Sequence, residues 1–213
     1  MRVSVKICGL KTREAIDASA KGGADFIGFV FHPASPRNLT LDAASRLRRD
    51  VPPGVKLVAL TVDAGDTLVG DINRAVKPDV FQLHGNETPK RVAEVRALTG
   101  KEIIKAIPVA RPEDLALAHA FEEVADWLMF DAKAQPGAAS PGGGGVAFDW
   151  KILSGHSFHR PWFLAGGLNA ENLKDAIAAS GARLVDVSSG VERARGEKDP
   201  ALIAAFLDRA RAL

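Results

Sequence analysis

The feature that most constrains this chain is an alternation sustained from one end to the other. Short runs of β-branched and apolar residues recur at Val3–Cys8, Asp25–Phe31, Lys56–Val62, Val80–His84, Glu102–Pro108, Trp127–Ala132, Trp162–Ala165 and Leu184–Ser188. Between and after them lie segments of helical spacing or composition: Arg13–Lys21, Asp42–Arg49, Thr67–Val76, Pro89–Leu98, Pro112–Val124, a short Asp149–Leu153, Glu171–Ser180 and Pro200–Arg211. Strands that alternate strictly with helices run parallel, because each helix carries the chain back to the same end of the sheet. In the last segment Leu202, Ile203, Phe206, Leu207 and Ala210 share one face, as in a helix laid against a sheet. Eight such units in 213 residues is the count of an α/β (β/α)8 TIM barrel near its smallest size. The competing arrangement, a doubly wound open sheet, carries its glycine-rich turn after the first strand. Here the glycine-rich turns follow the sixth, seventh and eighth runs. The reading is one barrel domain over residues 1–213, without a linker.

Composition narrows the class of partner. Lys and Arg number 28 against 26 Asp and Glu, a net charge of +2 that gives nucleic acid no basic stripe to follow. No run approaches the ~18 apolar residues of a membrane span, and the N-terminus does not read as a signal peptide. The single cysteine, Cys8, has no internal disulfide partner and fits a reducing compartment. A cytoplasmic protein with no nucleic-acid or membrane partner is expected, as a monomer or a homodimer.

In barrels of this kind the active site lies at the carboxyl ends of the strands. The first run ends on Cys8, followed by a glycine that permits a tight exit. The sixth ends on Asp131, across the barrel mouth. Two proton-transfer groups facing each other over a small substrate suit an isomerisation, one removing a proton and the other donating one. A thiol of ordinary pKa is near the working range of a base, and modest lowering would poise it. The plainer alternatives are a buried, inert Cys8 and an Asp131 that merely caps a turn. The second run leads into the proline-stiffened Ser35-Pro36-Arg37 loop, where Arg37 can clamp a carboxylate or simply lie on the surface. Gly166 and Gly167 after the seventh run, with Ser188, Ser189 and Gly190 after the eighth, read as a phosphate site. Paired glycines let backbone N–H groups approach an anion, and a helix starting near Asn169 would aim its positive end the same way. His32, His84 and Asp131 lack metal-ligand spacing, so no metal is expected. Asp63 reads as a turn residue.

Lys6 shares a strand face with Cys8 and would sit just beneath it inside the barrel. A lysine there needs a partner, and Asp186 on the eighth run can reach the same layer. The ammonium would then favour the thiolate. In the alternative, Lys6 turns outward between helices and Cys8 is inert.

Together these segments resemble the phosphoribosylanthranilate isomerase family of tryptophan biosynthesis. The resemblance rests on Lys6-Ile7-Cys8-Gly9, Ser35-Pro36-Arg37, Gln82-Leu83-His84-Gly85, Phe130-Asp131, Gly142–Gly145 with Phe148-Asp149-Trp150, Ala165-Gly166-Gly167-Leu168, and Asp186-Val187-Ser188-Ser189-Gly190-Val191-Glu192. It implies an Amadori rearrangement of N-(5-phosphoribosyl)anthranilate to 1-(2-carboxyphenylamino)-1-deoxyribulose 5-phosphate, without a cofactor. It also implies that Asp131 protonates the furanose ring oxygen, Cys8 removes the C2′ proton, and Arg37 holds the anthranilate carboxylate. Gln82, His84 and Gly145 join the pocket of this phosphosugar substrate, with Lys6 and Asp186. The all-glycine stretch Gly142–Gly145 departs from the family's pattern by lacking a hydroxyl residue. A related sugar-phosphate isomerase or epimerase, or a non-catalytic phosphosugar-binding barrel, are the competing readings. The first is disfavoured by Cys8 where an aspartate would stand, the second by the presence of both Cys8 and Asp131.

Overall fold

The computed structural model describes residues 2–133 and 147–213. Its strands are Ser4–Cys8 (β1), Phe26–Phe31 (β2), Lys56–Thr61 (β3), Val80–Leu83 (β4), Glu102–Val109 (β5), Trp127–Ala132 (β6), Trp162–Leu164 (β7) and Leu184–Val187 (β8). Each pairs in parallel with the next, and β8 returns to β1 to close the barrel. At that seam Lys6 lies opposite Asp186 and Ile7 opposite Val187.

The two-residue period of a strand explains why these runs are apolar throughout. Ile7, Phe29, Leu57, Phe81 and Ile107 face outward and pack into the large shell beneath the helices. Phe26, Val58, Val80, Ile104, Met129 and Phe163 face inward and fill the barrel. Strands buried on both faces have no polar side to show. Towards the carboxyl ends the inward set becomes Cys8, Val30 and Leu60, the floor of the mouth.

The helices are Arg13–Lys21 (α1), Leu41–Leu47 (α2), Asp66–Ala75 (α3), Pro89–Thr99 (α4), Ala116–His119 (α5), Leu173–Ser180 (α6) and Pro200–Arg211 (α7). Thr12, Thr40 and Thr88 cap α1, α2 and α4 by accepting backbone N–H bonds, and Asp199 does so for α7. Among the described residues no helix is long and apolar enough to cross a membrane.

Three segments differ from expectation. The short Asp149–Leu153 segment forms a 3-10 turn, Trp150–Leu153, and not an α-helix. The fifth helix is not continuous over Pro112–Val124; a 3-10 turn, Pro112–Leu115, leads into the single-turn α5. Beyond it the buried Glu122 accepts the His159 N–H, and its carbonyl accepts Arg160 Nε. These bonds bend the chain towards the start of β7 instead of continuing the helix. Between β8 and α7 a small antiparallel hairpin appears, Glu192–Ala194 (β9) with Glu197–Lys198 (β10).

Candidate active site

The carboxyl ends of the strands surround a cavity at the barrel mouth. Cys8, Arg37, Gln82, His84, Asp131 and Asp186 line it, and so do Gly166, Gly167, Ser188 and Ser189. Lys6 lies below this lining, fully buried. Gly190 is set behind it, where a side chain would collide with the Leu168 carbonyl. Gly145 and the rest of Gly142–Gly145 fall outside the described residues.

Lys6 turns into the barrel. Its Nζ donates to Asp186 Oδ1 at 2.6 Å, and the Lys6 side chain has no solvent exposure. Burial alone would lower its ammonium, but Asp186 and then Cys8 outweigh it and hold the group above the ordinary lysine value. The thiol above it is caught between opposing influences. Burial pushes Cys8 up, Lys6 pulls it down, Asp186 pushes it up again and Lys198 pulls it down. Burial wins, so the expectation of a thiol below its ordinary value is corrected. Lys6 acts in the expected direction, but Asp186 cancels part of its field, and desolvation of a thiolate at a nearly closed position exceeds the remainder.

Across the mouth Asp131 belongs to a chain of side chains. His84 Nε2 lies 3.1 Å from Asp131 Oδ2, and His84 Nδ1 lies 2.8 Å from the Gln82 amide nitrogen. Gln82 Oε1 is buried without a partner. Two hydrogen-bond patterns therefore fit the triad. With the Gln82 amide donating to Nδ1, His84 donates to an Asp131 carboxylate. With the amide turned over, Oε1 accepts from Nδ1–H, and His84 Nε2 accepts the proton of an Asp131 carboxylic acid. The second pattern holds a proton on Asp131, as a general acid needs. Gly166, at φ +85°, lets β7 close on this group: a Cβ there would lie 2.7 Å from the Ala132 nitrogen and 3.0 Å from Asp131 Oδ1.

Arg37 is buried, not spread on the surface. Its Nε and Nη2 donate to the two oxygens of Glu192 at 2.7 and 2.9 Å. Lys198 Nζ donates to Glu192 Oε1 at 2.7 Å. Burial would raise the Glu192 carboxyl, yet Arg37 and Lys198 hold it down at about 2. Gly9, at φ +82°, leaves the space through which the Arg37 side chain passes. Sequence reasoning assigned no role to Glu192 or Lys198. The hairpin carrying them is too short to show a period, and 155 residues separate Glu192 from Arg37.

The phosphate loops also need one correction. Helix α6 begins at Leu173, not near Asn169, and Asn169 Oδ1 already accepts the N–H groups of Glu171 and Asn172. The amides at this helix start are thus spent on a turn. Donors for an anion fall instead to the backbone at Gly166 and Gly167 and to the Ser188–Gly190 segment, which leads through a 3-10 turn, Ser189–Val191. Among the described residues no cluster of His, Cys, Asp and Glu is arranged to hold a metal. Asp63 sits at φ +48° and accepts the Asn86 N–H, which makes it a turn residue.

The geometry has counterparts. Residues 5–209 match the family model described as N-(5'phosphoribosyl)anthranilate (PRA) isomerase. A protein of Parvibaculum lavamentivorans named N-(5'-phosphoribosyl)anthranilate isomerase is 50% identical over 213 residues, covering 99% of each chain. One of the same name from Cereibacter sphaeroides is 54% identical over 209 residues, covering 98% of this chain and 99% of that protein. The crystal structure of phosphoribosyl anthranilate isomerase from Thermotoga maritima superposes with a TM-score of 0.88 at 34% identity, covering 99% of this chain and 100% of that one. A phosphoribosyl anthranilate isomerase in complex with reduced 1-(o-carboxyphenylamino)-1-deoxyribulose 5-phosphate gives 0.86 at 33% identity, with the same coverage.

Proposed function

The chain belongs to the N-(5'-phosphoribosyl)anthranilate isomerase family, and from that premise we infer that it catalyses the Amadori rearrangement of N-(5-phosphoribosyl)anthranilate in tryptophan biosynthesis. The observation that carries the reading is one cavity lined by a thiol, a carboxyl group, a guanidinium and two glycine- and serine-rich loops. Each matches one demand of the reaction.

Asp131 gives its proton to the furanose ring oxygen, the C1′–O bond breaks, and the ring opens to a protonated Schiff base. Cys8, as thiolate, takes the C2′ proton, and the electron pair of that C–H bond neutralises the iminium to give an enolamine. Tautomerisation of the enolamine yields the ketone of 1-(2-carboxyphenylamino)-1-deoxyribulose 5-phosphate. The competent enzyme thus carries a proton on Asp131 and none on Cys8. With the Gln82 amide turned over, the Gln82–His84 pair meets the first condition. Lys6 and Lys198 support the second, and so does the iminium, a cation formed beside the sulfur. Arg37 takes the substrate carboxylate. Glu192 uses its Nε–Nη2 edge, and among the described residues Nη1 has no acceptor. The backbone at Gly166 and Gly167, with Ser188, Ser189 and the Gly190 turn, takes the phosphate. We read the chain as one barrel domain needing no cofactor. A working thiol also suits a reducing cytoplasm.

The test is loss of phosphoribosylanthranilate fluorescence under turnover. Cys8→Ala and Asp131→Asn should each lower kcat by ~10²–10⁴ while product-analogue binding survives. Either variant keeping more than about a tenth of wild-type kcat would falsify its assigned role. A non-catalytic phosphosugar binder would show no turnover in the wild type at all.

A further inference from the structure

A guanidinium already bound to a carboxylate is a poor receptor for a second one. Arg37 is in that position, since Glu192 holds it in a two-bond pair whose formal charges cancel. The third member of the cluster changes the balance. Lys198 Nζ is surrounded by Glu192 Oε1 at 2.7 Å, the Ser188 carbonyl at 2.8 Å and Ser188 Oγ at 3.1 Å. Ser188 Oγ donates its own hydrogen to the Cys8 carbonyl, so towards Lys198 it can only accept. A carbonyl and an ionised carboxylate also only accept. Three acceptors around one nitrogen require three N–H donors, which is the ammonium form. Neither Arg37 nor Lys198 has another carboxylate partner among the described residues, so with the Cys8 thiol protonated, as in the resting site, the cluster has one positive charge in excess. The side chains of Arg37, Glu192 and Lys198 are 7, 4 and 3% exposed. An excess charge at such depth is costly until an anion joins it.

We propose that Lys198 is a positioning residue for substrate recognition: acting through Glu192, it leaves the Arg37 site net cationic and so selective for the carboxylate on the aromatic ring. This rests on the reading of Arg37 as the carboxylate clamp. Glu192 fixes the guanidinium in place, and Lys198 offsets the negative charge that this fixing introduces. A bound carboxylate completes a neutral four-member cluster.

The experiment compares binding of two probes by calorimetry. One is reduced 1-(o-carboxyphenylamino)-1-deoxyribulose 5-phosphate; the other is its phenylamino counterpart without the carboxylate. Both carry the phosphate, so any effect of Lys198 through Ser188 on the phosphate loop moves both alike. Lys198→Met should weaken the carboxylate probe by roughly ten- to a hundredfold, as for a lost charged hydrogen bond, and the other by less than about twofold. Adding Glu192→Gln to that variant removes the negative charge as well and should recover most of the loss. Equal weakening of both probes, no weakening, or no recovery in the double variant overturns the proposal. Should Lys198→Met fail to fold, Glu192→Gln alone decides. It raises the excess charge and should keep or increase the preference for the carboxylate probe, whereas a fall refutes the charge account. Arg37→Ala separates this from the reading beneath it. If that variant still prefers the carboxylate probe as the wild type does, or weakens both probes alike, the clamp itself is wrong, whatever Lys198 does.

Discussion

Glu192 offers a stability measurement whose size follows from the site. Its carboxyl is held at about 2 against an ordinary 4.5, and its side chain is only 4% exposed, so solvent screens little of the effect. At about 1.4 kcal/mol per pH unit, the ionised form contributes about 3 kcal/mol to folding. The group is depressed in the folded state, so this contribution is fully present above the unfolded value and fades as pH falls from about 4.5 towards 2. Glu192→Gln lacks it at every pH, and a neutral Gln imitates a protonated Glu. The gap in unfolding free energy between wild type and variant should therefore be about 3 kcal/mol at pH 7, and it should shrink progressively below pH 4.5. A loss of that size leaves a domain of ordinary stability folded at neutral pH. Urea titrations followed by tryptophan fluorescence and far-UV circular dichroism, at pH 7, 5 and 3.5, give the gap directly. Coincident transitions would justify the free-energy scale. A gap that stays constant from pH 7 to 3.5 refutes the reasoning, because the destabilisation would then come from lost shape and not from lost charge.

Other outcomes follow from the same structure. Lys6→Met should raise the Cys8 pKa measured by pH-dependent alkylation, because the nearest cation is gone while Asp186 remains; an unchanged value in a folded variant excludes Lys6 as a tuning group. Gly9→Ala places a Cβ 2.6 Å from Arg37 Cδ at φ +82°, so it should cost about 1–2 kcal/mol in backbone strain and raise KM by displacing the guanidinium. Wild-type KM in that variant would mean that Arg37 does not contribute to binding. Glu87→Gln leaves the buried Lys105 ammonium without its carboxylate and weakens bonds to the Asp63 and Gly85 amides. A loss of about 3–5 kcal/mol is expected in urea titration, and less than 1 kcal/mol would show that water reaches the pair.

The barrel was legible because its signals are local and repeated. Eight apolar runs, each followed by helix-forming residues, leave little choice of architecture, and strand parity puts Lys6 and Cys8 on one face while leaving open whether that face looks inward. The strand-end rule then collects Cys8, Arg37, Gln82, His84 and Asp131 in one place without knowledge of any distance. Three things were not legible. The support for Arg37 comes from Glu192 and Lys198, charges on two- and three-residue strands with no pattern to announce them. The continuity of the fifth helix was decided by Glu122 bonding to residues 37 positions away. The direction of the Cys8 shift is a contest between burial and three charges, and residue order does not say how completely a side chain is enclosed.

The Lys6–Asp186 pair at the β1–β8 seam joins residues 180 positions apart, so it forms only when the last strand meets the first. Before that moment a docked β1 would hold a lysine in an apolar interior beside an open edge. That state is penalised by several kcal/mol of desolvation with nothing to offset it. Either β1 stays loose, with its ammonium in water, or the barrel is shut. Such a group works against half-closed intermediates, whose unpaired edges are templates for aggregation. Pairing of these two side chains therefore favours the closed ring over half-closed forms. Replacing both partners with apolar residues of similar size would remove that veto, so the barrel could persist with its seam unzipped.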